Sequence, residues 1–130
     1  MDNKQKIGNI GEDLACEYLV NHRYKILGRN IRGRGWELDI VAQSKDKTLV
    51  FVEVKALTAR DGEAALLPED HFTKSKFKKT KRACEDFVFQ NEKLINEKKG
   101  WRIDLIALTV DQDGKAKEFR HYENVSIPGT

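Results

Sequence analysis

Cysteine is scarce. Cys16 and Cys84 are the only two, far apart and without C-x-x-C spacing. That pattern excludes a disulfide framework and a cysteine zinc site, and it predicts two reduced thiols in a cytoplasmic protein. No apolar run approaches the roughly 20 residues that a membrane span requires, and no signal-peptide core follows the basic N-terminus, so no membrane partner is expected. His22, His71 and His121 lack metal-ligand spacing and read as surface or capping residues. No serine stands in a G-x-S-x-G setting, which leaves acyl transfer without its nucleophile. Gly33-Arg34-Gly35 lacks the strand, loop and helix context of a phosphate loop. Repeats, low-complexity stretches and linkers are missing too, so residues 1–130 read as one domain around one core.

Charge, by contrast, is abundant: 35% of residues are Asp, Glu, Lys or Arg, with a net charge of only +3. Its distribution is uneven. Between Tyr18 and Trp36 stand five basic residues, Arg23, Lys25, Arg29, Arg32 and Arg34, and no acid. Between His71 and Cys84 stand six more, Lys74, Lys76, Lys78, Lys79, Lys81 and Arg82, again with no acid. Two such blocks in a near-neutral chain predict a surface that faces a polyanion, although each block alone also fits a solvated face.

Periodicity orders the rest. Ile7, Ile10, Leu14 and Tyr18 recur at helical spacing, which predicts a helix over about residues 4–22. Gly8 and Gly11 within it mark close approach to another backbone. Tyr24 to Arg32 reads as a strand interrupted at Gly28, turned at residues 32–35. WELDIVAQ (36–43) and TLVFVEVKAL (48–57) follow as an antiparallel hairpin. A long loop from Thr58 to Phe72, with Gly62 and Pro68, is expected to be functional or mobile. Thr73 is a candidate N-cap for a helix to about Asn96, stopped by Gly100. WRIDLIALTV (101–110) is a strong strand, turned by Asp113-Gly114 into the weaker KEFRHYENV. The order is α-β-β-β-α-β-β: an α/β fold with a mixed sheet flanked by helices.

Alternation along the hairpin puts Phe51, Glu53 and Lys55 on one face and Val50, Val52 and Val54 on the other. On its partner, Trp36, Leu38 and Ile40 are expected to share a face opposite Glu37 and Asp39. Pairing across the hairpin can bring Asp39 to Glu53. A carboxylate in a buried strand is costly, and two that converge repel as well; a divalent cation relieves both problems. Oxygen ligands with a few waters suit Mg²⁺, and a lysine two residues on can hold the attacking water or stabilise a phosphoryl oxygen. That arrangement suits phosphodiester hydrolysis. The same residues read alone also fit a cross-strand salt bridge of little consequence.

Further residues extend the pattern. Gly8-x-x-Gly11-Glu12-x-x-Ala15-x-x-Tyr18-Leu19, Tyr24-Lys25-Ile26-Leu27, Arg29-Asn30, GWELDIVA, FVEVK and WRIDLIAL, in that order across about residues 7–110, resemble the YraN family. These are small bacterial proteins of the PD-(D/E)XK, or restriction-endonuclease-like, fold with an αβββαβ core. The resemblance implies Asp39 and Glu53 as ligands of Mg²⁺ or Mn²⁺, helped by the Val54 carbonyl, with Lys55 as the catalytic lysine. Glu12 matches a further acid that related Holliday-junction resolvases carry on their first helix; alternatively it is an exposed helix acid. Glu37 ranks below it as a ligand, a supporting group or an arginine partner.

Two departures stand out. Trp36 directly precedes the E-x-D motif where relatives have glycine. Ala56 and Leu57 follow Lys55 where an arginine is common, and the nearest one is Arg60.

The expected activity is a metal-dependent nuclease acting on DNA, including branched or structured DNA. The alternatives are a non-catalytic nucleic-acid-binding module on the same fold and an adaptor with a salt-bridged hairpin. Arg29, Arg32, Arg34, Lys74, Lys76 and Lys78 are the candidate nucleic-acid contacts, with Lys76 the first choice to face the site. Resolvases of this fold act as dimers on twofold substrates, so the resemblance leaves room for a homodimer, while the sequence marks neither oligomeric state nor interface. Trp36 and Trp101 read as core or edge packing in preference to base-stacking platforms. Asp104, an acid inside a strand, reads as a structural partner of Arg102 or Arg29.

Overall fold

The computed structural model describes residues 3–59 and 67–126. Helix α1 (Asn3–Asn21) is followed by strands β1 (Lys25–Gly33), β2 (Trp36–Gln43) and β3 (Leu49–Thr58). Helix α2 (Lys74–Gln90) then leads to β4 (Trp101–Val110) and β5 (Ala116–Tyr122). The strands form one sheet in the order β1-β2-β3-β4-β5. Only β3 and β4 run parallel, joined through α2; the other pairs are antiparallel. This is the expected α/β architecture, consistent with a restriction-endonuclease-like fold.

The period-2 pattern of β3 divides the hydrophobic residues between two layers. Val50 and Val52 pack with Ile40, Ile106 and Leu108 against Ala15 and Leu19 of α1. Phe51 and Leu49 pack with Val41 and Ile103 against Phe77, Cys84 and Phe87 of α2. Helices therefore cover opposite faces of the sheet, and β3 is central to both cores. Trp101 meets Phe51 edge-on at 5.5 Å and packs, partly buried, against the α2-side core. Among the described residues no helix is long and apolar enough to cross a membrane. Cys16 and Cys84 are free, and burial pushes the Cys84 thiol up.

Several expectations need correction. Trp36 and Leu38 pack into the α2 layer whereas Ile40 packs into the α1 layer, so these three do not share a face. Helix α2 ends at Gln90, short of Asn96: Asn91 turns its side chain back onto the Phe87 carbonyl at 2.8 Å, and a 3₁₀ turn follows at Glu92–Leu94. The interruption expected at Gly28, by contrast, is present as a bulge in the β1–β2 pairing. Of the loop from Thr58 to Phe72, Gly62 and Arg60 lie outside the described residues. At its far end, Glu69 in the turn Pro68–His71 is clamped by Arg120 and Tyr122 of β5. The Arg120 guanidinium holds the Glu69 carboxyl down at about 2.

The glycines of α1 differ in kind. A Cβ on Gly11 would sit 2.6 Å from the Ala56 Cβ, so α1 crosses β3 at near-backbone contact there, whereas a Cβ on Gly8 meets nothing within 4 Å. Only Gly11 fits the close-approach expectation. Gly8→Ala should therefore raise stability by up to about 1 kcal/mol through helix propensity. Gly11→Ala should lower it by about 1–3 kcal/mol because rigid backbone must move apart. Thermal denaturation of the two variants side by side checks the difference in sign.

Candidate active site

The pairing of β2 with β3 runs Gln43–Leu49, Ala42–Val50, Val41–Phe51, Ile40–Val52 and then stops. One step further the register sets Asp39 opposite Glu53. There the strands are held together by side chains. The Val54 N–H donates to Asp39 Oδ2 at 2.9 Å, and the Glu53 carboxyl hydrogen-bonds to Asp39.

Beside the end of the ladder, β1 carries a local irregularity. Arg29 pairs with Ile40 and Ile31 with Leu38, while Asn30 between them adopts a left-handed conformation at φ 49°. Asparagine tolerates that region better than most residues. On the other side, Gly35 at φ 78° closes the β1–β2 turn. Trp36 at the start of β2 is fastened to α2 by its indole N–H, which donates to Asp86 at 2.9 Å. This end of β2 is therefore drawn toward α2 and away from an ideal ladder.

Electrostatics follow from that packing. Burial lifts the Glu53 carboxyl well above its usual range, and the neighbouring Asp39 and Glu12 lift it further. Burial also raises Asp39, partly offset by the Val54 N–H, by the Glu53 hydrogen bond and by the nearby Lys55 ammonium. Without a cation, then, burial favours protonation at this pair, and Glu53 is lifted the more strongly. Lys55, half-buried, follows Glu53 by two residues on the same strand face. Lys76 of α2 is the basic residue of that block whose charge reaches Glu53, although it is itself exposed.

Glu12 is no exposed helix acid. Its side chain is only 13% exposed, and burial followed by the Asp39 charge raises its carboxyl. Its Oε1 is buried without a hydrogen-bond partner, with the Arg29 guanidinium at 3.8 Å. The Asn30 side chain reaches the same carboxylate. Three acids from α1, β2 and β3 thus influence one another across the parted hairpin. Sequence reasoning found all three but missed Asn30, which stood in the Arg29-Asn30 motif without a role. It also missed Asp86, whose only signal was an acid at the far end of a basic helix face.

The basic candidates separate. Arg29 is taken up by Asp13 at 2.8 Å as well as by Glu12, so it braces α1 against β1. Arg32 lies 3.7 Å from Glu37, which fits one of the three roles open for that acid. Arg34 projects from the β1–β2 turn, and Lys74 and Lys78 are exposed along α2. Asp104 is fully buried and is met by Arg102 at 2.9 Å, not by Arg29. His121 corrects an expectation: its side chain is only 7% exposed, its Nε2 donates to Asp104 at 2.8 Å, and its Nδ1 lies 3.0 Å from the Tyr18 hydroxyl.

Whether this donor set suits a cation is a question of chemistry. Mg²⁺ and Mn²⁺ favour oxygen ligands and keep several waters, needing only one or two carboxylates. Asp39 and Glu53 supply those two, and the orphaned Glu12 Oε1 is a third buried oxygen without a donor. Among the described residues no group of three or more His, Cys, Asp or Glu side chains forms a ready metal cage. The fit is thus to a water-rich ion held by a carboxylate pair.

The sequence pattern of the Uncharacterised protein family UPF0102 matches residues 11–108. The chain belongs to this family, as the motif resemblance implied. A UPF0102 protein of Desulforamulus reducens is 32% identical over 121 residues, covering 93% of this chain and 95% of its own. One from Trichlorobacter lovleyi is 36% identical over 120 residues, covering 92% of this chain and 89% of its own. Among solved structures, Pyrococcus furiosus SfsA in complex with Ca²⁺ is similar with a TM-score of 0.37 at 16% identity; the match covers 89% of this chain and 64% of that one.

Proposed function

We propose that this UPF0102 protein is a divalent-metal-dependent nuclease that hydrolyses phosphodiester bonds in DNA. The carrying observation is the Asp39–Glu53 carboxyl pair, met through side chains where the β2–β3 ladder ends, with Lys55 two residues on. Two buried acids in contact cost stability when both are ionised, and a cation between them removes that cost.

Asp39 and Glu53 would hold Mg²⁺ or Mn²⁺, with the Val54 carbonyl and Glu12 as further oxygen donors. A bound ion of this kind supplies an activated water and charge stabilisation at the phosphoryl group. The chain's own residues supply position. Val54 N–H fixes the Asp39 carboxylate, while Asn30 and Arg29 hold Glu12 at the opening. The Lys55 ammonium is placed to orient a water or to stabilise a developing phosphoryl oxyanion. Lys76 brings a second positive charge to the Glu53 side, and Arg34, Lys74 and Lys78 take phosphates of the backbone. The proposal includes a cytoplasmic location, and a twofold junction substrate would call for two copies.

The test is cleavage of labelled linear, flapped and four-way-junction DNA, and of RNA, in Mg²⁺, Mn²⁺ or EDTA. Metal-dependent cutting abolished in both Asp39→Ala and Lys55→Ala is the expected result. Salt-sensitive binding without cutting, unchanged in both variants, would instead establish a binding module. That second reading is favoured by one feature, the exposed lysines of α2, which do not depend on the carboxyl pair.

A further inference from the structure

Glu53 does not open onto flat surface. It forms part of the lining of a cleft of about 540 Å³ between the β1–β2 turn and α2, with Arg34 and Trp36 on one side and Lys79, Arg82 and Asp86 on the other. A second, more open cleft of about 480 Å³ runs along α2 past Lys74, Lys78, Lys79 and Arg82. The two clefts adjoin, with Lys79 and Arg82 lining both. Lys74, Lys78 and Arg82 follow each other at i, i+4 spacing and line up on one helix face, about 6 Å apart along the axis. A basic track thus leads along α2 to the carboxyl pair.

Trp36 shapes the inner end of this path. Its ring lies so close over Gly33 that a Cβ there would come within 2.1 Å of the indole. Its N–H is committed to Asp86. The indole is therefore a braced part of the cleft wall, with no free donor. Such a surface stacks on any base and reads no sequence. The cleft volume falls in the range of a small-molecule pocket, enough for a base with its sugar and far short of a duplex. A paired base could enter only after unstacking, whereas a loose strand enters at little cost.

We propose that this cleft is a subsite for an unpaired nucleotide beside the bond to be broken, so that the substrate class is nucleic acid with a single-stranded segment, not continuous duplex. The inference rests on the nuclease reading for what is done to the strand, but binding itself needs no metal. Phosphates run along Lys74, Lys78 and Arg82, Arg34 and Lys79 grip the backbone at the cleft mouth, and a base stacks against Trp36.

Fluorescence anisotropy in EDTA tests it, with labelled single-stranded DNA, single-stranded RNA of the same sequence and blunt duplex DNA as probes. Single strands should bind at least about 10-fold more tightly than the duplex, and Trp36→Ala should erase most of that preference. Because Trp36→Ala also frees Asp86, Lys79→Ala with Arg82→Ala provides a second arm on exposed helix positions. That pair should weaken single-strand binding and flatten its salt dependence. Equal affinity for duplex and single strand, or no loss in either arm, overturns the subsite. DNA and RNA arms that differ identify the sugar preferred. Single-strand preference without any cutting in Mg²⁺ sustains the subsite and removes the nuclease reading, so the two failures are distinct.

Discussion

Asp104→Ala is expected to lower unfolding free energy by about 3–5 kcal/mol, the usual cost of removing one member of a buried ion pair. Asp104 is fully buried in β4 and accepts four hydrogen bonds: Arg102 Nε at 2.9 Å, Arg102 Nη2 at 3.3 Å, His121 Nε2 at 2.8 Å and the Asn124 N–H at 2.9 Å. Arg102 in turn donates to the Tyr24 hydroxyl at 3.0 Å. Deleting the acid strands a guanidinium and an imidazole beside the α1 core. Deleting Arg102 instead should cost less, because His121 and Asn124 still satisfy the carboxylate. Burial alone would raise the Asp104 carboxyl, but His121, Arg102 and the Asn124 N–H outweigh it and the net direction is down. The folded state therefore favours the ionised form. Its contribution is present above the ordinary aspartate range and is lost as pH falls through the depressed value. Urea denaturation at pH 7 should show the full gap between parent and variant, and the gap should shrink toward pH 3. A loss below about 1 kcal/mol at pH 7 would mean that this network is no keystone of the fold.

Much of the site was legible because it is local. Asp39, Glu53 and Lys55 sit on two adjacent strands, and alternation alone assigns Glu53 and Lys55 to one face. What alternation could not supply is the end of the ladder after Ile40–Val52. It coincides with the left-handed Asn30 in β1 and the tie from Trp36 to Asp86, 50 residues away. The same bend explains why Leu38 and Ile40 fall in different cores: the period-2 rule assumes a straight strand, and β2 is not one. His121 was misjudged for a related reason. A lone histidine on a weak edge strand reads as solvent-exposed, and its partners Asp104 and Tyr18 are visible only once β4, β5 and α1 are assembled. Gly8 and Gly11 look alike in sequence, and only the crossing point over Ala56 tells them apart.

Glu53→Gln should separate the stability of this fold from its chemistry. Burial, then Asp39, lifts the Glu53 carboxyl well above the ordinary value of 4.5. For an acid lifted in this way the folded state binds the proton more tightly than the unfolded chain does, so stability falls as pH rises from about 4.5 toward the raised value. At pH 8 in EDTA, parent protein must either ionise a crowded carboxyl or retain a proton against solution. Each unit of upward shift is about 1.4 kcal/mol against the ionised form. Glutamine carries no charge and can still donate to Asp39, so the variant should be the more stable by at least about 1 kcal/mol at pH 8. The difference should vanish near pH 4. Saturating Mg²⁺ should then reverse the order. An ion that binds only the folded parent at 100 times its Kd adds about 2.7 kcal/mol, and the variant, short of a ligand, gains little. Because burial favours the protonated form and a cation the ionised one, uptake by the parent should release protons in unbuffered titration, with affinity rising with pH. A variant less stable than the parent at pH 8 in EDTA would show that Glu53 is a structural anchor. Equal stabilisation of both by Mg²⁺ would place the ion elsewhere. Only stability gained without metal, with metal response lost, marks a residue held at thermodynamic cost for the chemistry it performs.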